Sequence, residues 1–303
     1  MKTIKILSIV LSFFVLYGLS SCNSSTKKES EDQSINDETL AEIDSNNVTI
    51  IKFKNTLFSI PSPYQVSILI KKANIEYNPE LVNSLENIAN YTSNFKKAIN
   101  MGVYGTDLAY LNMNKQIPKA VKYFANLKIM SEELQLSGAF NPTVIKQIEN
   151  NMGNEDSLLY ILSKTYRESD KYLKENNRED LGVLILAGGW IESLYFLAKV
   201  ADETHNQEII NRLGDQKHPL DNLIKIMSQY YNQSPQYMKI IEDLIDLAYV
   251  YDGIDVEYEY KEPITDTTQK ITTINSTSKL ILNAEHINLI AEKIAKIREK
   301  IID

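Results

Sequence analysis

The chain has 303 residues, 43% of them hydrophobic and 24% charged, which is enough apolar material to build one large domain or two small ones around a packed core. Its formal charge of −8 excludes the clustered Lys/Arg footprint of a nucleic-acid binder and gives no electrostatic pull toward anionic lipid. One cysteine, Cys22, and three scattered histidines, His205, His218 and His286, exclude disulfides, a Cys-based metal site and any HExxH-type zinc motif, so neither metal nor cofactor is expected.

Residues 1–21 read as a lipoprotein signal peptide. Lys2 and Lys5 supply a positive start, Ile6 to Tyr17 an apolar core, and Leu19-Ser20-Ser21-Cys22 a small-residue end. That ending resembles the bacterial lipobox, which implies that Cys22 carries the lipid and that acyl chains such as palmitate hold the mature protein to the membrane. Residues 22–47 are polar and charged, with almost no large apolar side chain, and should form a flexible tether. Lys27 to Asp32 resembles the charged signals that send some Bacteroidota lipoproteins outward, so the periplasmic and surface faces of the outer membrane both stay open.

The rest, 48–303, reads as a single all-α domain, a multi-helix antiparallel bundle with a small C-terminal β-hairpin. Ser62-Pro63, Asn78-Pro79, Asn141-Pro142 and Ser234-Pro235 each put a capping side chain before a Pro suited to the first helical position. Helices are predicted at about 64–74, 79–90, 93–112, 118–136, 142–151, 155–176, 179–202, 206–214, 219–231, 235–251 and 284–302. Between the last two, Ile254, Val256, Tyr258 and Tyr260 alternate with charged residues. This predicts a hairpin near 254–274 that turns around Pro263 and packs one face. A lone hairpin is marginal in water, so Val48–Phe53 is assigned as a third strand. The final helix carries Ile287, Ile290, Ile294, Ile297 and Ile301 as a seam expected to pack on the body.

Leu181 to Val200 is long enough to span a bilayer. Glu192 and Lys199 oppose that, each costing at least about 2.5 kcal/mol at bilayer depth, and the run is read instead as the central core helix. Two helices also carry stripes of small residues: Ala98, Gly102, Gly105 and Ala109 on one, Gly182, Gly189 and Ser193 on the other. Glycine costs a helix about 0.8–1 kcal/mol relative to alanine, so the stripes predict two helices crossing at close range.

No catalytic constellation is recognisable. Asp107 falls opposite the small stripe beside Lys96 and Asn100 and reads as solvated. Glu192 stands in an otherwise apolar helix, where it bonds a neighbouring Tyr or Lys or lines a pocket with Tyr195 and Trp190. Tyr104, Asp107, Trp190, Glu192 and Tyr195 are therefore the candidate ligand-binding residues. From Ile60-Pro61-Ser62-Pro63 through Asn100–Leu108, Leu136–Phe140, Asn151–Asn154 and Gly188-Gly189-Trp190, the chain resembles an uncharacterised family of Bacteroidota outer-membrane lipoproteins. The resemblance implies a lipid-anchored envelope protein and carries no activity with it. The expected function is non-enzymatic binding of a partner protein or ligand; the alternative is a glycan- or small-molecule-binding lipoprotein with a pocket near Trp190 and Glu192.

Overall fold

The computed structural model describes residues 49–303 apart from 54–55, 61–62, 137, 139–141, 155–156, 159–160, 162–168, 170 and 269. The signal peptide, the tether and most of the predicted 155–176 helix lie outside the described residues; 171–175 are helical. The all-α architecture with a small C-terminal sheet is as the sequence predicts.

Strands β1 (Thr49–Phe53) and β2 (Thr56–Ile60) lead into α1 (Pro63–Lys72). The core is formed by α2 (Asn94–Met113), α3 (Ile117–Glu133) and α5 (Glu179–Thr204), with α4 (Pro142–Asn150) between the last two in sequence. Helices α6 (Gln207–Gly214), α7 (Lys217–Met227) and α8 (Pro235–Asp252) follow, and α9 (Ala284–Ile302) returns to the centre. The starts are chemically explicit. Ser93, Ser234 and Asn283 each accept a backbone N–H of the first turn with the side-chain oxygen, filling donors that a helix cannot satisfy itself.

The central contact is the crossing of α2 over α5. A Cβ built on Gly188 would lie 1.8 Å from the Ile99 carbonyl oxygen, and one on Gly102 would lie 2.0 Å from that of Ile185. Glycine is therefore required at both positions, because any side chain would collide with the opposite backbone. Thr106 Oγ1 uses the same approach to donate to the Gly189 carbonyl at 3.1 Å. The predicted close crossing is present, with two changes of detail. Gly105 meets nothing within 4 Å, and Gly188, outside the predicted stripe, also lies against α2 beside Gly189. Helix α5 has the length and composition of a membrane span, yet 78% of its most apolar window is buried in the protein, as a core helix requires.

Three local expectations need correction. The segment after Asn78-Pro79 is not an α-helix: 79–84 is turn and loop, followed by a 3-10 helix at Leu85–Asn90. Its backbone groups are taken up by core side chains, as the next subsection describes, and so are not free to form a helical ladder. The strand at Thr49–Phe53 forms, but it pairs antiparallel with the adjacent β2 rather than with the C-terminal hairpin, since a nearby partner is the cheaper loop to close.

The C-terminal β region is also longer than predicted. Strand β3 (Val256–Glu259) pairs with β6 (Thr277–Leu280), and beyond Pro263 the chain continues through β4 (Ile264–Asp266), turns after Asp266 and returns through β5 (Ile271–Thr273), which pairs antiparallel with β4. No face of this arm is packed along β3, β4 or β5.

Gly188→Ala and Gly102→Ala should each force the two central helices apart and cost more than about 3 kcal/mol. Gly105→Ala has open space and should gain roughly 0.5–1 kcal/mol from helix propensity. Thermal unfolding followed by circular dichroism checks all three, and wild-type melting of Gly188→Ala would contradict the tight crossing.

Candidate functional site: a sealed carboxyl–guanidinium centre

Glu192 lies on the buried face of α5 and is 0% exposed. Its partner is Arg298 of α9, which donates from Nε to Oε2 at 2.6 Å and from Nη2 to Oε1 at 2.8 Å. This paired geometry is the strong form of a charge-assisted bond, and both charges are almost wholly removed from water. Arg298 Nη2 also donates to the Leu81 carbonyl at 3.0 Å, and the guanidinium carbon stands 4.3 Å from the centroid of the Tyr195 ring.

Asp107 of α2 completes the cluster. It too is 0% exposed, correcting the expectation that it lies on a solvated face; α2 is enclosed by neighbours on nearly all sides, so the side opposite the glycines is buried as well. The Asn83 backbone N–H donates to its Oδ2 at 3.2 Å, while Oδ1 receives no donor among the described residues. Two buried carboxyls therefore lie in the field of one guanidinium, which bonds Glu192 directly. Burial pushes the Asp107 carboxyl well above the usual carboxylate range, the negative charge of Glu192 pushes it further, and Arg298 only partly offsets them. Glu192 is also raised by burial, but Arg298 acts on it directly and opposes the rise. Of the two carboxyls Asp107 is therefore held further above the usual carboxylate range, because Arg298 bonds Glu192 directly.

The same centre gathers the 78–84 loop. Tyr123 donates to the Asn83 carbonyl at 2.6 Å and Tyr104 to the Ser84 carbonyl at 2.8 Å, while the Asn78 N–H donates to the Tyr110 hydroxyl at 3.0 Å. Asn83 Nδ2 donates to the Tyr91 hydroxyl, which in turn donates to the Ile302 carbonyl. Asn100, expected on the surface, is buried and donates to the Ile301 carbonyl at 2.6 Å. The end of α9 is thus held by α2, by α5 and by the loop.

Of the five candidate residues, Asp107, Glu192 and Tyr195 meet around Arg298, and Tyr104 joins them through the loop. Trp190 does not: its indole N–H donates to Gln216 Oε1 at 3.2 Å, toward the α6–α7 connection. Sequence reasoning missed Arg298, although a signal was present. Ile287, Ala291, Ile294, Arg298 and Ile301 follow a four-three heptad spacing, so Arg298 occupies a seam position where an apolar residue belongs. A charge at such a position calls for a buried acid opposite it. Compared with known proteins, the chain matches no family model, no curated protein and no solved structure.

Glu192→Gln should cost about 3–5 kcal/mol by leaving Arg298 buried without its counter-charge. Combining it with Arg298→Met should recover much of that loss, so the two substitutions should be strongly non-additive in denaturant unfolding. Asp107 gives a pH test. Its folded-state pKa is raised, so from about pH 4 upward the folded chain binds more protons than the unfolded one and loses stability as pH climbs toward the raised value. Asp107→Asn keeps a donor and an acceptor without that slope. Its urea midpoint relative to wild type should therefore rise as pH climbs above about pH 4, and parallel profiles would contradict the raised pKa of Asp107.

Proposed function

We propose that this protein is a lipid-anchored, non-enzymatic helical protein of the cell envelope that binds a partner protein. The observation that carries the reading is the burial of four of the five candidate residues. Asp107 and Glu192 are 0% exposed, Tyr104 is 0% and Trp190 is 2%. Glu192 is bonded to Arg298, Tyr104 to the Ser84 carbonyl and Trp190 to Gln216, so their polar groups are engaged inside the protein. Active sites with shifted carboxyl groups need an approach from outside; structural networks shift the same groups without one.

The surface supports the same reading. A groove of about 480 Å³ runs along α3 and α4, lined largely by apolar side chains, among them Val121, Phe124, Ala125, Ile129 and Met152. Val121 and Ile129 are half exposed. An apolar groove rimmed by Lys128, Glu132 and Glu149 has the composition of a protein-docking surface, with an uncharged centre and a polar edge. Attachment through Cys22 and the tether would present this body to partners in the periplasm or at the cell surface.

A photo-crosslinking side chain at position 129, in the full chain with Cys22 intact, should capture one protein stoichiometrically in native membranes. The same residue at exposed Glu208 on α6 should not. Repeated failure at 129, together with retention of the protein on immobilised glycan, would overturn the partner reading in favour of glycan binding. Cys22→Ala should move the protein from the membrane fraction to the soluble one; unchanged membrane attachment would remove the lipid anchor from the proposal.

A further inference from the structure

The chain has seven methionines, and the fold sorts them by access to water. Met101, Met113, Met130 and Met227 are buried, none of them more than 5% exposed. Met238 on α8 is 37% exposed, and Met152, just past the end of α4, is half-buried and lines the α3–α4 groove. Among the described residues these two are the thioethers within reach of small oxidants in water. Of the two, Met152 is the one that lies in the groove.

Its backbone is anchored there. The next residue, Gly153, donates its N–H to Asn112 Oδ1 at 2.9 Å and so ties this turn to α2. Gly153 has φ +87°, a left-handed conformation that glycine adopts without strain and that turns the chain away from the helix axis. The side chain at 152 is thus presented from a fixed turn into the same groove as Val121, Phe124, Ala125 and Ile129 of α3. Methionine suits such a surface, because an unbranched, polarizable thioether adapts to apolar partners of different shape. The same sulfur makes the surface open to oxidation.

With hydrogen peroxide as the oxidant, the sulfur lone pair takes one peroxide oxygen, the O–O bond breaks, and the other oxygen leaves as water after proton transfer. Sulfur is oxidised by two electrons and the peroxide is reduced by two. The product is a polar, chiral sulfoxide in place of a flexible apolar thioether. In the open groove its oxygen is solvated. Beneath a docked apolar face it is an acceptor facing Val121, Phe124, Ala125 and Ile129, whose side chains offer no donor. Burying an acceptor unpaired weakens docking by roughly tenfold or more.

We propose that Met152 makes the α3–α4 groove a redox-sensitive docking site, which holds its protein partner with the thioether and releases it with the sulfoxide. The inference rests on the partner-binding reading and adds a regulation of that same groove. Met238 is the more exposed of the two but lies on α8, outside the groove, and its oxidation leaves docking unaffected. Methionine sulfoxide is reversible by reductases specific for each epimer, so the change acts as a switch rather than as lasting damage.

The full chain with the photo-crosslinking side chain at position 129 tests it, each protein being compared with itself before and after mild hydrogen peroxide. Peptide mass spectrometry should find the added oxygen at Met152 and Met238 and not at Met101, Met113, Met130 or Met227. Partner capture by the otherwise wild-type chain should fall roughly tenfold on oxidation and return when both methionine sulfoxide reductases are supplied with dithiothreitol. Met152→Leu should keep most of its own capture after peroxide, whereas Met238→Leu should lose as much as wild type. An unreactive Met152, capture that survives its oxidation, or equal losses in wild type and Met152→Leu each overturn the proposal and leave the partner-binding reading standing. Absence of capture before any oxidation removes both.

Discussion

Arg298 enters the middle of the molecule from the last helix and meets Glu192 of the central one across a sequence separation of 106 residues. Desolvating both charges costs several kcal/mol each, and their attraction repays it only with good geometry and every remaining donor used. The paired bonds to Glu192, the bond to the Leu81 carbonyl and the Tyr195 ring supply the geometry and use Nε and Nη2. A pair of this kind adds little net stability over a well-packed apolar alternative. What it adds is register. Sliding α9 by one turn would leave an isoleucine against Glu192 and carry a guanidinium into apolar surroundings, whereas an all-isoleucine seam would tolerate the slip more readily.

That pair depends in turn on how closely α2 and α5 approach. Gly188 and Gly102 remove the side chains that would otherwise separate the two backbones, and Thr106 ties them with a hydrogen bond. Asp107 and Glu192 are consequently close enough for the charge of Glu192 to push the Asp107 carboxyl upward. Buried ionisable groups are held by a core only where their charges are paired or suppressed, and Arg298 and the raised pKa of Asp107 act in that direction.

The 78–84 loop shows the same economy. Its carbonyls accept from Arg298, Tyr123 and Tyr104, and its amides donate to Asp107 and the Tyr110 hydroxyl. Where this loop turns inward, at Leu81 and Asn83, its backbone groups must be paired, and core side chains from α2, α3 and α9 pair them. The centre is therefore sealed by its own hydrogen bonding. The apolar surface that remains for recognition lies elsewhere, in the α3–α4 groove and along the arm.

Periodicity and capping chemistry in the chain itself determined the all-helical class, most helix positions, the buried character of Leu181–Val200 and the close crossing announced by paired glycines. Those features are local: a 3.6-residue period, a Ser or Asn before a turn, or a glycine in a helix has its effect within a few residues. Only the tertiary structure decided that Asn78-Pro79 starts no helix, that Asp107 is buried beside a second carboxyl, and that Glu192 answers to Arg298. A helical wheel assigns Asp107 to the side away from the glycines, but it cannot say that this side is also covered. Likewise the alternation of Val256, Tyr258 and Tyr260 specified a ribbon with an apolar face, because strand period is a property of the segment. Whether the body covers that face depends on where the rest of the chain goes, and the fold leaves it in water.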